Sequence, residues 1–262
     1  MHQFRGGCFI TGTDTGVGKT VVTAALARWL RRQRQDVGVM KPVETGWLAA
    51  RPEQADARRL MMAARVTDPL TDVCPYRLAA PLSPYDAAKA QRRTISLPTL
   101  THSFSALRAR HQAMLVEGAG GALVPLTRRS MMVDLMAAWK LPVIVVGRAG
   151  LGGINQALLT LECLRARKVP VLALILNRTQ PDQSKSAGHQ VAATCRSIRE
   201  RAGIPVLGPL PYLERLGSTW QTEIGRLTKD PAIRTLGRLM LTTDAQRPPR
   251  PASRRPRRRP RK

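Results

Sequence analysis

A chain of 262 residues with 43% hydrophobic content can bury a substantial core, and it has no apolar run near the roughly 18–20 residues that a membrane-spanning helix requires. The opening "MHQFRGG" lacks the apolar centre of a secretory signal, so a soluble, cytoplasmic protein without membrane attachment is expected. The formal charge of +26 invites a nucleic-acid reading, but nine basic residues and no acidic one are gathered in "QRPPRPASRRPRRRPRK" (Gln246 to Lys262), so that part of the excess belongs to one terminal stretch.

In chain order, short apolar runs alternate with helical patterns. Strands are expected at "CFITG" (Cys8 to Gly12), "DVGVMKPV" (Asp36 to Val43), "AMLVEG" (Ala113 to Gly118), "LPVIVVG" (Leu141 to Gly147), "VPVLALILN" (Val169 to Asn177) and "IPVLGPLP" (Ile204 to Pro211). Between them, "KTVVTAALARWLRRQR", "INQALLTLECLRARK" and "HQVAATCRSIRERAG" repeat apolar residues every three or four positions against an arginine-rich face, the signature of amphipathic helices. Several strands are apolar on both faces, as a sheet covered by helices on each side requires. The expected fold class is α/β: an open, mainly parallel sheet with helices on both faces, whose ligands sit at the carboxyl ends of the strands. Residues from about Trp47 to Ser103 are less regular and read as helices and loops over that edge. Residues 1–244 are expected to form one domain. Residues 245–262, rich in arginine and proline, read as a solvated basic tail available for nonspecific contacts with anions. Four scattered cysteines, Cys8, Cys74, Cys163 and Cys195, make no C-x-x-C pair and read as reduced thiols.

The chemistry begins at "FITGTDTGVGKT" (Phe9 to Thr20). A strand, a glycine-rich turn and an amphipathic helix follow one another as in the phosphate loop G-x-x-x-x-G-K-[ST], except that Thr13 stands at the first glycine position. In that setting the backbone N–H groups of Gly16 to Thr20 surround phosphate oxygens, Lys19 neutralises β and γ charge, and Thr20 ligates Mg²⁺. The loop points to a P-loop nucleoside triphosphate hydrolase fold and names the nucleotide, not the reaction. At the end of the second strand "MKPVETG" places Lys41 near the loop. The strand "AMLVEGAGG" ends in Glu117, where phosphate-loop proteins carry a metal-binding carboxylate, followed by glycines that let a ligand approach the backbone. Asp56 opens an arginine-rich helix in "EQADARRL", where the helix dipole alone would favour an acidic residue.

Taken together, "GTDTGVGKT", "KPVETG", Asp56 to Leu60, "VEGAGG", "GLGGIN" (Gly150 to Asn155) and "ILN" (Ile175 to Asn177) resemble the dethiobiotin synthetase family, in the family's order and over roughly Phe9 to Leu213. The resemblance implies an ATP-dependent carboxylation and ring closure of 7,8-diaminononanoate with CO₂, giving dethiobiotin, ADP and phosphate. By the same resemblance Thr20, Asp56 and Glu117 hold Mg²⁺, Lys41 and Lys19 are catalytic lysines, and Thr15 hydrogen-bonds the reacting groups. ATP lies along Gly16, Val17, Gly18, Lys19, Thr20 and Val21 and near Asp56, Glu117, Gly118, Ala119 and Gly120. Its base is met by Asn177 and Arg178 and by "PYL", Pro211, Tyr212 and Leu213. Thr45, Lys41 and Gly121 contact the diamine, and Asn155 contributes from a neighbouring subunit, which implies a homodimer.

The sequence departs from the family at Gly16, where some members carry a larger acidic residue, and at Gln156, where histidine is common. After Leu213, "ERLGSTW" matches poorly. A related partitioning or targeting ATPase would carry a second lysine early in the loop, where this chain has Thr13 and Asp14. An amide-forming synthetase of cobalamin type would add a glutaminase domain, and a nucleic-acid-binding protein would depend on the tail.

Overall fold

The computed structural model describes residues 6–181, 185–214, 216 and 219–245; the basic tail from residue 246 onward lies outside the described residues. At its centre is a parallel sheet of six strands: β1 (Gly6–Gly12), β2 (Val37–Met40), β5 (Ala113–Gly121), β6 (Val143–Arg148), β7 (Val171–Asn177) and β8 (Val206–Leu210), in the order β2-β5-β1-β6-β7-β8. Every residue of β1 after Gly6 is buried, as is all of β2, which requires cover on both faces. That cover comes from α1 (Lys19–Arg32), α2 (Asp56–Ala64), α5 (Leu97–Arg110), α6 (Met132–Trp139), α7 (Gly153–Ala166), α8 (Lys185–Ala202), α9 (Trp220–Leu227) and α10 (Pro231–Ala245). Two shorter helices, α3 (Leu70–Val73) and α4 (Pro84–Ala90), complete the set.

The expected strands are all present, with one division. The run read as a single strand over Asp36 to Val43 stops at Met40. Beyond Pro42 a separate strand β3 (Val43–Thr45) pairs in parallel with β4 (Tyr76–Leu78). Pro42 has no N–H to give to a ladder, while the Lys41 N–H leaves the sheet to donate to the Val73 carbonyl at 2.8 Å. The less regular segment is thus anchored by a two-stranded ribbon that its composition did not announce.

Helix starts follow local chemistry. Ser83 and Ser96 accept hydrogen bonds from the N–H groups of Asp86 and Thr99, capping α4 and α5, and each helix has proline in its first two positions. Arg31 and Arg32 occupy the last turn of α1, where the helix dipole favours cations. Trp139 at the end of α6 stacks on Phe104 of α5 with ring centroids 4.4 Å apart, and its indole N–H donates to Thr101 Oγ1 at 3.1 Å. None of the four cysteines is in a disulfide.

A charged clamp fastens the entry to β5. His111 lies between Asp36 (Nδ1 to Oδ1, 2.9 Å) and Asp68 (Nε2 to Oδ2, 2.8 Å). Arg31 stands 3.9 Å from Asp36, and Arg110 reaches Asp68 at 3.3 Å and Asp72 at 2.8 Å. Burial alone would lower the His111 pKa, but its hydrogen bonds to the two carboxylates outweigh it and hold the pKa above the ordinary value. The resulting stability is complete below about pH 6.5, the pKa of an unfolded histidine, and is lost as pH rises through the folded pKa. Urea unfolding across pH 6 to 9 should therefore show a decline that His111→Gln flattens; an unchanged slope in the variant would show that the clamp carries no linkage.

Candidate active site

The turn after β1 is shaped by glycines with distinct tasks. Gly18, at the N-cap of α1, has φ 98°, a left-handed conformation that favours glycine. A Cβ there would also collide with the Asn177 side-chain amide. That amide, at the end of β7, donates to the Val17 carbonyl at 3.0 Å and braces the loop from the neighbouring part of the sheet. Gly12 leaves room for the Lys19 ammonium, which would lie 2.9 Å from an added Cβ. Lys19 folds back to donate to the Asp14 carbonyl at 3.1 Å, and is buried at 7% exposure. The Asp14 carboxylate accepts from the Thr15 N–H at 2.7 Å and from Gln156 Nε2 at 3.2 Å. Gln156 thus ties the first turn of α7 to the phosphate loop, a contact that its sequence position did not suggest.

Lys41 reaches this loop through an intervening strand. Strand β5 separates β2 from β1, and its register places Glu117 beside Ile10. The Lys41 ammonium donates to Glu117 Oε1 at 2.6 Å and to Asp56 Oδ2 at 2.7 Å, while the Thr20 hydroxyl donates to the same Glu117 oxygen at 2.8 Å. Lys41 and Glu117 are buried, at 4% and 0% exposure. Burial pushes the Lys41 pKa down, but the attraction of Asp56 and Glu117 more than restores it, so the group stays charged above the ordinary lysine range. Burial likewise pushes the Asp56 carboxyl up, and the adjacent Lys41 charge brings it below its ordinary value. Lys19 differs: burial, with Lys41 repelling it, lowers its pKa to about 8.

Asp56 is positioned by a residue that sequence reasoning quoted but did not use. Glu44 of β3 accepts from the backbone N–H of Asp56 at 2.6 Å and of Ala57 at 3.1 Å, capping α2 with both carboxylate oxygens. Burial and the Asp56 charge raise the Glu44 pKa. The one available signal was its place three residues after Lys41 in "KPVETG", a spacing that carries no helix-capping pattern of its own.

Thr20, Asp56 and Glu117 offer a hydroxyl and two carboxylates, and Glu117 Oε2 is a buried acceptor with no hydrogen-bond partner. Such a set suits a small hard cation that takes one or two carboxylates and completes its shell with phosphate oxygens. Among the described residues no group of three His, Cys, Asp or Glu side chains could hold a metal by itself.

The remaining expected residues fall on the same edge. Gly118, Ala119 and Gly120 continue β5 to Gly121, which pairs with Gly12. Arg178 directly follows Asn177; its N–H donates to the Leu210 carbonyl at 3.3 Å, and Leu210 is in register with Asn177. Pro211, Tyr212 and Leu213 therefore leave β8 beside Asn177, with Tyr212 37% exposed. Val17 is fully buried and Val21 nearly so, on the core side of the loop and of α1. Thr15 and Gly16 are exposed on the loop, Thr45 is half-buried at the end of β3, and Asn155 is exposed on the first turn of α7.

Residues 6–219 match the AAA domain family. An ATP-dependent dethiobiotin synthetase from Anaeromyxobacter dehalogenans is 48% identical over 222 residues, covering 83% of this chain and 98% of that relative. The chain belongs to the ATP-dependent dethiobiotin synthetase family. A second synthetase, from Bacillus licheniformis, is 38% identical over 86% of this chain and 92% of its own length. Among solved structures, the MinC:MinD cell division complex of Aquifex aeolicus aligns with TM-score 0.55 at 15% identity, covering 94% of this chain and 98% of that chain. A ParA family ATPase from Chlorobium tepidum aligns with TM-score 0.50 at 13% identity, covering 93% of this chain and 99% of that one. At such identities these two neighbours speak for the fold alone. The ordered motifs of the dethiobiotin synthetase family therefore stand on a phosphate-loop α/β sheet, as their order in the sequence implied.

Two outcomes follow from the geometry. Because Lys19 loses its proton above about pH 8, ATP affinity of the free protein should fall by up to about tenfold per pH unit above that value. Lys19→Met should be weak and flat over the same range in calorimetric titrations. Glu44→Ala should lower stability by about 0.5–2 kcal/mol in urea unfolding, the usual cost of a lost helix cap. No loss there would mean that the α2 N–H groups find other acceptors.

Proposed function

We infer that this chain is an ATP-dependent cyclo-ligase of biotin biosynthesis, converting 7,8-diaminononanoate, CO₂ and ATP to dethiobiotin, ADP and phosphate. The observation that carries the reading is the buried Lys41 ammonium, held between Asp56 and Glu117 on the edge where the phosphate loop opens. The 48% identity to a named dethiobiotin synthetase along nearly the whole of that relative supports the substrate.

The chemistry asks for cations at one place. One amine of the diamine adds to CO₂ and loses a proton, leaving a carbamate. A carbamate oxygen then attacks the γ-phosphorus and ADP departs. The second amine closes on the carbamoyl carbon, losing its proton as phosphate leaves and the cyclic urea forms. Carbamate and triphosphate are both anionic, so their approach requires positive charge between them. In our reading Lys41 holds the carbamate oxygen toward the γ-phosphate, and Lys19, drawn from the Asp14 carbonyl, binds the β- and γ-phosphate oxygens. The N–H groups from Gly16 to Thr20 cradle the phosphates, Val21 follows them along the nucleotide, and Thr15 hydrogen-bonds the reacting groups. Magnesium, held by Thr20, Asp56 and Glu117, would neutralise charge on the β- and γ-phosphates. Gly118, Ala119 and Gly120 line the nucleotide side of β5, and Thr45 and Gly121 receive the diamine. Asn177 and Arg178 meet the adenine edge, with Pro211, Tyr212 and Leu213 beside the base. Asn155 serves the substrate of a second subunit in a homodimer, and the reaction proceeds in the cytoplasm.

The test is an assay with bicarbonate, ATP, Mg²⁺ and the diamine that follows ADP and cyclic urea together. Lys41→Ala should lower kcat about 10²- to 10³-fold, the scale of losing one transition-state charge partner, while ATP affinity changes little. Equal loss of both would assign Lys41 to nucleotide grip. Glu117→Gln should raise the Mg²⁺ concentration needed for half-maximal turnover. A chain truncated after Asp244 should form cyclic urea at the full rate.

A further inference from the structure

We propose that a cleft between α4 and the loop after β5 binds a phosphorylated small molecule with an apolar or aromatic body. The cleft encloses about 520 Å³, within the roughly 300–1,000 Å³ typical of small-molecule sites. None of its lining residues belongs to the phosphate loop or to the Lys41 cluster.

Two kinds of side chain meet there. Lys89, Arg92, Arg93, Arg128 and Arg129 supply five exposed cations, and no carboxylate lines the cleft. None of the five takes part in an ion pair among the described residues. Cations at the end of a helix can be explained by its dipole, and Lys89 in the last turn of α4 fits that account. Arg128 and Arg129 do not, because they come from a separate loop fixed in place by Thr127. The Thr127 hydroxyl accepts from the N–H groups of Arg129 at 3.2 Å and Ser130 at 3.0 Å, and the Leu126 N–H donates to the Ser130 carbonyl at 2.9 Å. The two walls are joined by the Tyr85 N–H, which donates to the Pro125 carbonyl at 3.1 Å.

Between the cations lies an apolar floor of Ala88, Ile95 and Leu126, all buried, with half-buried Tyr85 beside it. A guanidinium cluster selects phosphate by charge and by paired N–H donors. An apolar floor next to it adds affinity only for a ligand that carries an apolar or flat portion. Free inorganic phosphate would use one half of the site.

The proposal can be tested with the full chain, its phosphate loop saturated with Mg²⁺ and a non-hydrolysable ATP analogue, titrated calorimetrically with 1-naphthyl phosphate. Saturable binding is expected, at least tenfold tighter than for inorganic phosphate or for 1-naphthol. The triple variant Arg92→Ala, Arg128→Ala, Arg129→Ala should weaken it at least tenfold, with ATP affinity and melting temperature unchanged. Tyr85→Ala should reduce the preference for naphthyl phosphate over phosphate. Absence of saturable binding would overturn the proposal. So would an equal loss when the exposed Arg58, Arg196 and Arg234 are replaced instead, since that would mark a general response to net charge.

Discussion

The site depends on one buried cation. Removing the Lys41 ammonium from water is costly, and what repays it is contact with two carboxylates at 2.6 and 2.7 Å. Neither carboxylate comes from β2, the strand that the lysine follows. Glu117 belongs to β5, beside β2 in the sheet, and Asp56 opens α2. Three separate elements are therefore held in one arrangement by electrostatic need. Removing a single partner from a buried pair of this kind typically costs about 3–5 kcal/mol, because the charge left behind has no solvent to turn to.

The two lysines are tuned in opposite directions by their surroundings. Lys41 is hydrogen-bonded to two carboxylates and stays charged, whereas for Lys19 burial and the repulsion of Lys41 outweigh the attraction of Glu117, Asp56 and Asp14 and lower its pKa to about 8. A poorly compensated cation beside a glycine cradle is an incomplete site, and a polyphosphate completes it. Asn177 adds mechanical support from the far side, since its amide holds the Val17 carbonyl in the space that the missing Gly18 side chain leaves.

Much of this was legible in the sequence, for identifiable reasons. The six sheet strands are short apolar runs punctuated by glycine and proline, several of them apolar on both faces, so their existence could be read directly. The phosphate loop, Lys41, Asp56 and Glu117 stood out through their ordered blocks. What escaped were features made by pairing across long separations. The ribbon strand β4 is three residues, "YRL", too short to show a period, and it exists because β3 lies opposite. Glu44 caps a helix twelve residues downstream, and Gln156 touches Asp14 across 142 positions. No local pattern encodes either contact. The burial of Lys41 was equally hidden, because a lysine after a strand reads as solvent-facing until its two partners are brought to it.

The ribbon brings to the site a part that lies outside the central sheet. Glu117 lies on the central sheet and the glycine cradle follows β1, whereas Asp56 opens α2, whose first N–H groups are held by Glu44 of β3, a strand paired with β4 outside that sheet. Any shift of the ribbon therefore changes the separation of the two carboxylates, and with it the seat of the Lys41 ammonium that they share.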